Sequence, residues 1–440
     1  MFENFRNKKI LIVGYSLTGI AAAKFFAKKG ADVFITELSD QKDRNIDKLT
    51  KLGINIEFGK HSDEFINNAE FAILSPSVPL NSNILKTLQE RKIEYFSDLE
   101  FCSRYFNNKM VVITGTNGKT TTTMLVNHLL SYKFNSKYCG NIGISPFEYL
   151  DSNLDYFVVE ASSYQLEYSP TISPKIAIFT NLTPDHISFH GNVENYFLSK
   201  AKLFKNLCKD SFAILNFDDS MVSKLNSELN CNVYAFSTKN KADICLVDEK
   251  IIFNEEEIIS VDDIPLCGEH NIQNVMCAIL VAKILNIDNE AIVNAIKTFK
   301  APEHRCEFVR RINNTDFYND SKATNPEATI VALDAFPSKN VCLIAGGRDK
   351  NTSLDEFCSK VKEKIHDVVL IGEATSRFES ALNEAGYNNI IRASSLEEAI
   401  DLGQKLNPDV VLLSPACASF DMFKSFEHRG EVFKDYVFKK

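Results

Sequence analysis

The sequence predicts an α/β protein of three domains, in which short β-branched runs alternate with segments of helical spacing. Three observations lead to this prediction. A chain of 440 residues is longer than one hydrophobic core usually supports. Glycine-containing turns repeatedly join a strand-like run to a helical one. The strand-like runs are almost continuously apolar, as expected of parallel strands covered on both faces.

Composition and charge limit the partners that the chain could have. Hydrophobic residues make up 45% of the sequence and charged residues 24%, which is ordinary for a soluble globular protein. The formal net charge of -9 repels nucleic acid and anionic membranes. No apolar run approaches the roughly 18 residues of a membrane span, and the N-terminus has no signal-peptide pattern. The 11 cysteines are scattered without a C-x-x-C pair. We therefore expect a cytoplasmic protein with reduced thiols that binds neither nucleic acid nor membranes.

The N-terminal segment, residues 1–97, predicts a Rossmann-like domain. The stretch KKILIVGYSLTGIAAAKFFAKKGADVFITE indicates a strand, a glycine turn, a helix that stops at Gly30, and a second strand ending near Glu37. The turn is similar to the dinucleotide fingerprint G-x-G-x-x-G, but Ser16 replaces the glycine that lets backbone approach a pyrophosphate. The fold is expected, whereas tight NAD binding is not. The run FAILSPSVPL ends in a Pro-rich loop that suits a ligand-facing strand end.

The middle segment, residues 98–300, contains ITGTNGKTTTTMLV, which predicts a P-loop-type ATPase domain. A P-loop has the pattern G-x-x-x-x-G-K-[ST], and here the first glycine, Gly115, lies two residues closer to the G-K-T triplet. A buried strand before the loop and a helix after it would bring backbone N–H groups and the helix dipole together. Lys119 adds a charge for the outer phosphates, and Thr120 or Thr121 offers a hydroxyl to Mg²⁺. The alternative is an ordinary glycine-rich connection with a surface lysine.

Polar residues follow two further strands of this segment. Glu160 ends the run YFVVE, and Asp185 and His186 follow the run KIAIFTN. Because parallel strands end at a common edge, Glu160 and His186 are both expected to face the triphosphate and its Mg²⁺. Taken alone, a paired carboxylate and a common D-H dipeptide would explain these residues equally well.

The C-terminal segment, residues 301–440, again alternates strands with helices and predicts a second Rossmann-like domain. Its strand-like runs are VCLIAGG, DVVLIGE and DVVLLSPA. The Pro302 region marks the expected boundary with the middle segment.

Motifs along essentially the whole chain resemble those of the Mur ligases. They are TGTNGKTTT, GNIG, EASSYQLE, NLTPDHISFHG, SKAKLF, GEHNIQN, HRCE, NDSKATN and LSPACASFDMFKSFEHRG. These ligases use ATP to form the amide bonds of bacterial cell-wall precursors, and the folylpolyglutamate synthases are their relatives. The last two motifs are the most specific, and they resemble the family members that add D-glutamate to UDP-N-acetylmuramoyl-L-alanine.

The resemblance implies a reaction and the residues that serve it. The L-alanine carboxylate would attack the γ-phosphate of ATP, and the D-glutamate amine would then attack the acyl phosphate through a tetrahedral intermediate. Two Mg²⁺ ions and Lys119 would neutralise the developing charge. The implied ATP residues are Gly115, Thr116, Asn117, Gly118, Lys119, Thr120, Thr121, Asn271, Asn274, Arg305 and Asp320. The implied metal residues are Thr120, Glu160, His186 and Lys202, and Lys119, Glu160, His186 and Lys202 are implied in catalysis. On the residues alone, Asn271 and Asn274 could equally be helix caps.

The lysines of SKAKLF need a separate explanation, because an ammonium group repels Mg²⁺. The resemblance implies that one lysine reacts with CO₂ to form a carbamate, which offers oxygen ligands as a carboxylate does. Ala201-Lys202-Leu203 matches the A-K-L motif of the family, so Lys202 rather than Lys200 is predicted to be carbamylated. Without the resemblance, Lys202 would be a solvated lysine on a helix face.

The resemblance also implies where the other two substrates bind. D-Glutamate carries two carboxylates and needs cations or N–H groups. The matching residues are Lys350, Thr324, Ser419 and the backbone at Phe420, with Lys322 and Phe426 beside them. UDP is expected at Leu17, Thr18, Thr36 and Glu37, and the muramoyl group near Asn141. Ser16 and Ser77 replace glycines expected around the UDP site.

Other functions remain open at the level of sequence. Another Mur ligase or a folylpolyglutamate synthase would keep the ATP segment and change the terminal ones, and SPACASFDMFKSFEHRG argues against both. A nicotinamide-dependent dehydrogenase would need a hydride-transfer site, and Ser16 argues against it. A non-catalytic ATP switch would bind or hydrolyse ATP without requiring an amino acid.

Overall fold

The computed structural model describes residues 4–40, 46–106, 109–266, 268–336 and 339–440, and of Ser188 only the backbone. The chain is an α/β protein with three separate sheets, which confirms the predicted fold class. By its contacts it splits into two compact units, Met1–Asp263 with Gln273–Lys297, and Ile264–Ile272 with Thr298–Lys440. The first two sheets lie in the first unit and the third sheet lies in the second.

The first sheet is entirely parallel, with the strand order β3-β2-β1-β4-β5. Its strands are β1 (Lys9–Val13), β2 (Asp32–Glu37), β3 (Asn55–Phe58), β4 (Phe71–Leu74) and β5 (Glu94–Ser97). The helices of this region are α1 (Leu17–Lys28), α2 (Asp47–Thr50), α3 (Asp63–Ile66), α4 (Asn83–Glu90) and α5 (Asp98–Phe106). Strand order reverses at β1, so a crevice opens at the carboxyl ends of the central strands, where α/β proteins bind ligands.

The second sheet has nine strands in the order β14-β13-β12-β11-β10-β9-β6-β8-β7, and only the pairs β12–β13 and β13–β14 are antiparallel. Its strands are β6 (Met110–Thr114), β7 (Ser136–Gly140), β8 (Tyr156–Glu160), β9 (Ile176–Phe179), β10 (Phe212–Asn216), β11 (Asn232–Ser237), β12 (Ile244–Val247), β13 (Lys250–Phe253) and β14 (Glu256–Ser260). Its helices are α6 (Lys119–Leu130), α7 (Ser163–Glu167), α8 (Ile187–His190), α9 (Val193–Lys205), α10 (Glu269–Ile284) and α11 (Asn289–Thr298). Short 3-10 helices span Pro146–Tyr149, Ser223–Glu228 and Val261–Asp263. The neighbours of β6 are β8 and β9, so the ends of these three strands surround the loop that follows β6.

The third sheet has the order β15-β16-β20-β17-β18-β19, and only β15 runs antiparallel to its neighbour. Its strands are β15 (Glu307–Ile312), β16 (Thr315–Asn319), β17 (Val341–Gly346), β18 (Asp367–Ile371), β19 (Ile390–Arg392) and β20 (Val410–Leu413). The helices are α12 (Pro326–Leu333), α13 (Asp355–Lys364), α14 (Thr375–Glu384), α15 (Leu396–Lys405) and α16 (Phe426–Lys439).

Phenylalanine rings dominate the core of the first unit. The rings of Phe26 and Phe101 meet edge to face at 5.1 Å, and those of Phe101 and Phe147 stack at 5.4 Å. Each such ring contributes about 1.5–3 kcal/mol on burial. Because these rings come from α1, α5 and the 3-10 helix at Phe147, they join the first sheet to the second within this unit.

Among the described residues, no helix combines the length and hydrophobicity that crossing a membrane would require. The ten cysteines within the described ranges are free thiols, and Cys267 lies outside them.

Candidate active site

The loop between β6 and α6 adopts a backbone conformation that requires glycine. Gly115 has φ +148° and Gly118 has φ +80°. A Cβ on Gly115 would lie 1.9 Å from Thr180 Oγ1, and one on Gly118 would lie 2.4 Å from Asn274 Oδ1. Only glycine fits these two positions. The loop therefore curls tightly in front of the first turn of α6, where the helix dipole favours an anion.

Residues that follow β9 hold this loop from behind. Thr116 N donates to Asn181 O at 2.9 Å, and Asn117 N donates to Asn181 Oδ1 at 2.8 Å. Thr180 Oγ1 donates to Asn117 O at 2.7 Å. These bonds fix the shape of the loop before any ligand binds, so little ordering is left for the ligand to impose.

Two lysine side chains converge on the loop. Lys119 Nζ donates to Gly115 O at 2.9 Å and to Thr116 O at 2.7 Å, and Lys200 Nζ donates to Gly115 O at 2.7 Å. Lys200 is 1% exposed, and its amine lies 4.6 Å from the centre of the Tyr196 ring. Burial, followed by the charge of Lys119, lowers the pKa of Lys200 well below its usual value. The loop thus gathers amine groups at the place where a polyanion would sit.

A group of oxygen atoms lies beside the loop. Thr120 Oγ1 donates to Glu160 Oε2 at 2.8 Å, and Asn141 Nδ2 donates to Glu160 Oε1 at 2.9 Å. Glu160 is 2% exposed, at the end of β8. Hydroxyl and carboxylate oxygens are the ligands that Mg²⁺ prefers. Within the described ranges no three His, Cys, Asp or Glu side chains form a group that could hold a metal, so Mg²⁺ here would also need phosphate or water oxygens.

His186 immediately precedes α8 and has φ +53°. Its Nε2 lies 3.4 Å from Asp185 Oδ2, and its ring centre lies 5.0 Å from that of Tyr164. Burial lowers the pKa of His186 despite Asp185, and the charges of Lys200 and Lys119 act in the same direction. The imidazole is therefore neutral near pH 7 and can accept a hydrogen bond or bind a metal.

The structure brings Lys200, not Lys202, to the phosphate loop, and this corrects the choice made from the A-K-L motif. Lys202 Nζ lies 2.6 Å from Glu167 Oε1, and the lysine side chain is 35% exposed. Both lysines belong to α9, and a helix turns about 100° per residue, so positions two apart project from different faces. The motif match selected the face that points away from Gly115.

Asn271 and Asn274 both lie inside α10, so the alternative that they are helix caps is wrong. Asn274 Oδ1 accepts a hydrogen bond from Thr122 Oγ1 at 3.0 Å and thereby supports the first turns of α6. Asn271 is 7% exposed and belongs to the second unit. Thr121 is buried in the first turn of α6.

A second candidate site lies at the turn after β1. Ser16 caps α1, because its Oγ accepts from a backbone N–H of the first turn at 3.1 Å, and it lies 2.7 Å from Ser75 Oγ. The hydroxyl therefore occupies space that the fingerprint glycine would leave open. Leu17 is 72% exposed, and Thr18 Oγ1 donates to Asp98 Oδ2 at 3.4 Å.

Thr36 and Glu37, at the end of β2, are engaged in different ways. Thr36 is fully buried, with its Oγ1 at 2.7 Å from both Glu57 Oε1 and His61 Nδ1. The Glu37 carboxylate accepts a hydrogen bond from Tyr15 N at 2.8 Å. A cavity of about 140 Å³ at this strand end is lined by Glu37 and His61 but not by Thr36. A ligand here would meet the histidine rather than the threonine hydroxyl.

In the second unit, three loops follow the neighbouring parallel strands β16, β20 and β17. Lys322 and Thr324 follow β16, Lys350 follows β17, and Ser419 and Phe420 follow β20. These predicted D-glutamate residues therefore share one sheet edge. Lys322 Nζ lies 3.8 Å from the centre of the Phe426 ring, Ser419 is 1% exposed, and Phe420 is 66% exposed.

Asp320, also at this edge, is a buried carboxyl group. Its Oδ2 accepts from Ser414 Oγ at 2.7 Å and its Oδ1 accepts from Cys306 N at 3.2 Å. Burial raises the pKa of Asp320 to about 7, against these hydrogen bonds and the charges of Arg305 and Arg429. The group therefore titrates near physiological pH.

A buried arginine that the sequence analysis missed connects two of these loops. Arg429, in α16, is 1% exposed. It donates to Cys417 O, Ala418 O and Ser321 O and to the Ser321 hydroxyl, at 2.9 to 3.4 Å. The motif FEHRG contained the only signal for it. His61, which follows the end of β3, was missed as a site residue as well. Lys200 was considered and passed over in favour of Lys202, although both lie in the matched motif SKAKLF.

Family comparisons agree with this arrangement. The model of the Mur ligase MurD-like N-terminal domain matches residues 8–97, that of the Mur ligase middle domain matches residues 113–282, and that of the Mur ligase glutamate ligase domain matches residues 304–417. The chain therefore belongs to the Mur ligase family and has its three-domain architecture.

Individual relatives and solved structures are consistent with this membership. The chain is 39% identical to a UDP-N-acetylmuramoylalanine–D-glutamate ligase of Thermoanaerobacter sp. (strain X514), over 98% of each chain. It is 37% identical to a ligase of the same name from Clostridioides difficile (strain 630), over 99% of each. Among solved structures, MurF of Acinetobacter baumannii superposes with a TM-score of 0.63 at 16% identity, covering 97% of this chain and 93% of that one. UDP-N-acetylmuramate-alanine ligase of Thermotoga maritima gives 0.60 at 19% identity, covering 98% and 100%. These structural similarities show the fold alone.

Proposed function

We propose that the protein is an ATP-dependent ligase that joins D-glutamate to UDP-N-acetylmuramoyl-L-alanine, with release of ADP and phosphate. The observation that carries the proposal is the convergence of Lys119, Lys200 and the Thr120–Glu160 pair on one preformed loop. Near-full-length similarity to D-glutamate ligases supports the choice of substrates over those of other family members.

The loop residues suit the first step of such a reaction. A carboxylate must approach a triphosphate, so the site has to offset charge between two anions. Lys119 can follow the transferring phosphoryl group, and the first turn of α6 can hold phosphate oxygens. Bound Mg²⁺ would supply further positive charge, and the Thr120 and Glu160 oxygens fit that ion. We propose two such ions, with His186 beside the second.

The carbamate belongs, in our proposal, on Lys200 rather than Lys202. Only a neutral amine attacks CO₂, and burial beside Lys119 lowers the pKa of Lys200 well below its usual value. The neutral amine and CO₂ form a carbamate with release of one proton, so that a neutral group at Gly115 becomes an anion able to bind Mg²⁺. Lys202 is partly exposed, and its Nζ contacts the Glu167 carboxylate rather than the loop.

The remaining assignments stay predictions that follow from this function. UDP would bind at Leu17, Thr18 and Glu37, the muramoyl group near Asn141, and D-glutamate at the loops that hold Lys350, Thr324 and Ser419. Asn271, Arg305 and Asp320 stay predictions for ATP. We propose domain limits of 1–97, 98–300 and 301–440, and a cytoplasmic monomer.

The decisive test is phosphate release with ATP, UDP-N-acetylmuramoyl-L-alanine and a panel of amino acids. We expect release only when D-glutamate is present, with L-glutamate, L-lysine and diaminopimelate inactive. Release driven by UDP-N-acetylmuramate and L-alanine, or by a folate and glutamate, would instead identify another ligase of this family. ATP hydrolysis that ignores the amino acid would overturn the assignment as a ligase.

A further inference from the structure

His61 belongs to a chain of three hydrogen-bonded side chains at the end of the first sheet. Glu57 Oε1 lies 2.7 Å from Thr36 Oγ1, which lies 2.7 Å from His61 Nδ1. Glu57 Oε1 also accepts from Ser62 N at 2.8 Å. Thr36 is fully buried and Glu57 is 8% exposed, so solvent does not compete for these contacts.

The direction of these hydrogen bonds fixes the tautomer of the histidine. Burial acts to raise the pKa of Glu57, but hydrogen bonds from Ser62 and Thr36 outweigh it and hold that pKa below its usual value. The carboxylate therefore accepts the hydroxyl proton of Thr36. A hydroxyl has one proton to donate, and Thr36 Oγ1 already faces two acceptors, Glu57 Oε1 and, at 3.0 Å, Lys60 O. The short contact between Thr36 Oγ1 and His61 therefore requires the proton on Nδ1. The other ring nitrogen, Nε2, is then a lone-pair acceptor.

The His61 side chain lines a small cavity. The cavity has a volume of about 140 Å³ and is bordered by Gly14, Glu37, Ser77 and Pro79 as well. Pockets for drug-sized ligands usually span about 300–1,000 Å³, so this one suits a single ring of a larger ligand. Within the described part of the chain, Nε2 has no hydrogen-bond partner of its own.

We infer that His61 selects uracil over cytosine in the nucleotide substrate, by accepting a hydrogen bond from N3–H of the base. Uracil carries a donor at N3, flanked by two carbonyl acceptors. Cytosine carries an acceptor at N3, which would face the lone pair of Nε2. The inference deepens the proposed function and rests on it, because it concerns the base of the UDP substrate.

Protonation of His61 should invert this preference. Burial lowers the pKa of His61 although Glu57 and Glu37 oppose the shift, so the ring is neutral at pH 7. The charged groups around the ring are Glu37, Glu57 and Lys60, and the pKa values of both carboxyl groups are lowered, so they stay ionised in weak acid. Below its pKa the ring would present a second N–H, which repels the donor of uracil and matches the acceptor of cytosine.

Calorimetric titration of the full chain with UDP, CDP and N3-methyl-UDP tests the inference. At pH 8 we expect UDP to bind about tenfold more tightly than either analogue, the equivalent of one hydrogen bond. In His61→Ala the UDP affinity should fall by about tenfold, to the level of CDP, and His61→Gln should recover part of the difference. Lys60→Ala is the matched control, since it changes the exposed neighbour and should bind all three as the unchanged protein does. As the pH falls from 8 through the pKa of His61, the ratio of UDP to CDP affinity should decline, and in His61→Ala it should stay flat.

The possible failures are distinguishable. If UDP binds but the unchanged protein treats UDP and CDP alike, or His61→Ala keeps the discrimination, the inference is overturned and the proposed ligase function is untouched. If UDP does not bind at all, both the inference and the UDP substrate fall together.

Discussion

Two amines share one carbonyl oxygen in the phosphate loop, and this sets the chemistry of both lysines. Lys119 and Lys200 each donate to Gly115 O, so their two amine groups lie close together. Two positive charges so near each other are unfavourable in a buried site. Lys119 keeps a second acceptor in Thr116 O, whereas Lys200 is almost fully buried and shares Gly115 O beside an aromatic ring. The cost of the double charge therefore falls on Lys200, which supports our proposal that this lysine carries the carbamate.

Lys119→Ala should reduce kcat by at least about 100-fold while the fold is retained. The substitution removes the positive charge that stabilises the negatively charged phosphoryl group during its transfer. Steady-state phosphate release measures the effect, and circular dichroism checks the fold. Lys137→Ala, at an exposed position on β7 of the same sheet, serves as the control and should remain fully active. Near-normal turnover in Lys119→Ala would remove this side chain from the mechanism.

Lys200→Ala should lose nearly all activity, and millimolar acetate should restore part of it. The truncation leaves a cavity that lacks one oxygen ligand, and a small carboxylate can fill both the space and the charge. Lys200→Arg should stay inactive, since a guanidinium cannot react with CO₂. Lys202→Ala, on the opposite face of α9, should keep most of its activity. A result in which Lys202→Ala is the inactive, acetate-rescued variant would reinstate the choice made from the A-K-L motif.

At the scale of whole elements, α16 is anchored to the loops after β16 and β20 by one side chain. Arg429 directs its donors to three carbonyl groups and one hydroxyl, and its hydrogen bonds include no carboxylate acceptor among the described residues. Burial lowers the pKa of Arg429 to about 10, so it stays charged at neutral pH. The loops it joins hold Ser419 and Lys322, so their spacing depends on α16.

Arg429→Met should destabilise these loops by about 3 kcal/mol, because it keeps the volume but leaves the Cys417 and Ser321 carbonyl groups without their donor. Amide hydrogen exchange of residues 321–324 and 417–420 measures the local opening free energy. Arg310→Met is the matched control. Its guanidinium is exposed and, among the described residues, donates to Phe438 O alone, so a change below about 0.5 kcal/mol is expected. Equal effects of the two variants would contradict the anchoring role.

Elements were easier to predict from sequence than contacts. The strand, turn and helix around Gly115 follow from local pattern, because glycine spacing and apolar periodicity are properties of neighbouring residues. A short motif could not separate Lys200 from Lys202, because the two residues are chemically identical and differ only in the face of α9 that they occupy. The contacts of His61 and Arg429 could not be predicted, because their partners, Thr36 and Cys417, meet them through tertiary packing and not through sequence spacing.

For the molecule as a whole, the dependence of stability on pH combines groups of opposite sign. Asp349, paired with Arg377, has a lowered pKa, so its contribution is present at neutral pH and lost only in acid. Burial lowers the pKa values of His270 and His304, so their contributions grow as pH rises through the usual histidine range. Asp320 has the opposite effect: its folded-state pKa is raised, so its contribution to stability falls as the pH rises.

Asp320→Asn should therefore change how the free energy of unfolding depends on pH, and not merely its value at one pH. The folded protein retains a proton on Asp320 between the ordinary carboxyl pKa of 3.8 and about 7. In that window folding takes up a proton, so the contribution of Asp320 is full at low pH and is lost, at about 1.4 kcal/mol per pH unit, as pH rises towards 7. Urea unfolding followed by circular dichroism at pH 5, 6 and 7 gives the free energy of unfolding of the unchanged protein and of Asp320→Asn. The stability advantage of the unchanged protein should fall with pH at that slope and shrink to zero or change sign. Histidine contributions cancel in this difference, because both proteins contain them.

Asp349→Asn is the control. The difference in the free energy of unfolding between it and the unchanged protein should stay constant over the same pH range, since the Asp349 carboxylate is ionised in both the folded and the unfolded state. Parallel profiles for Asp320→Asn and the unchanged protein would mean that Asp320 is ionised in the folded state, with its burial offset by Ser414 and the neighbouring arginines.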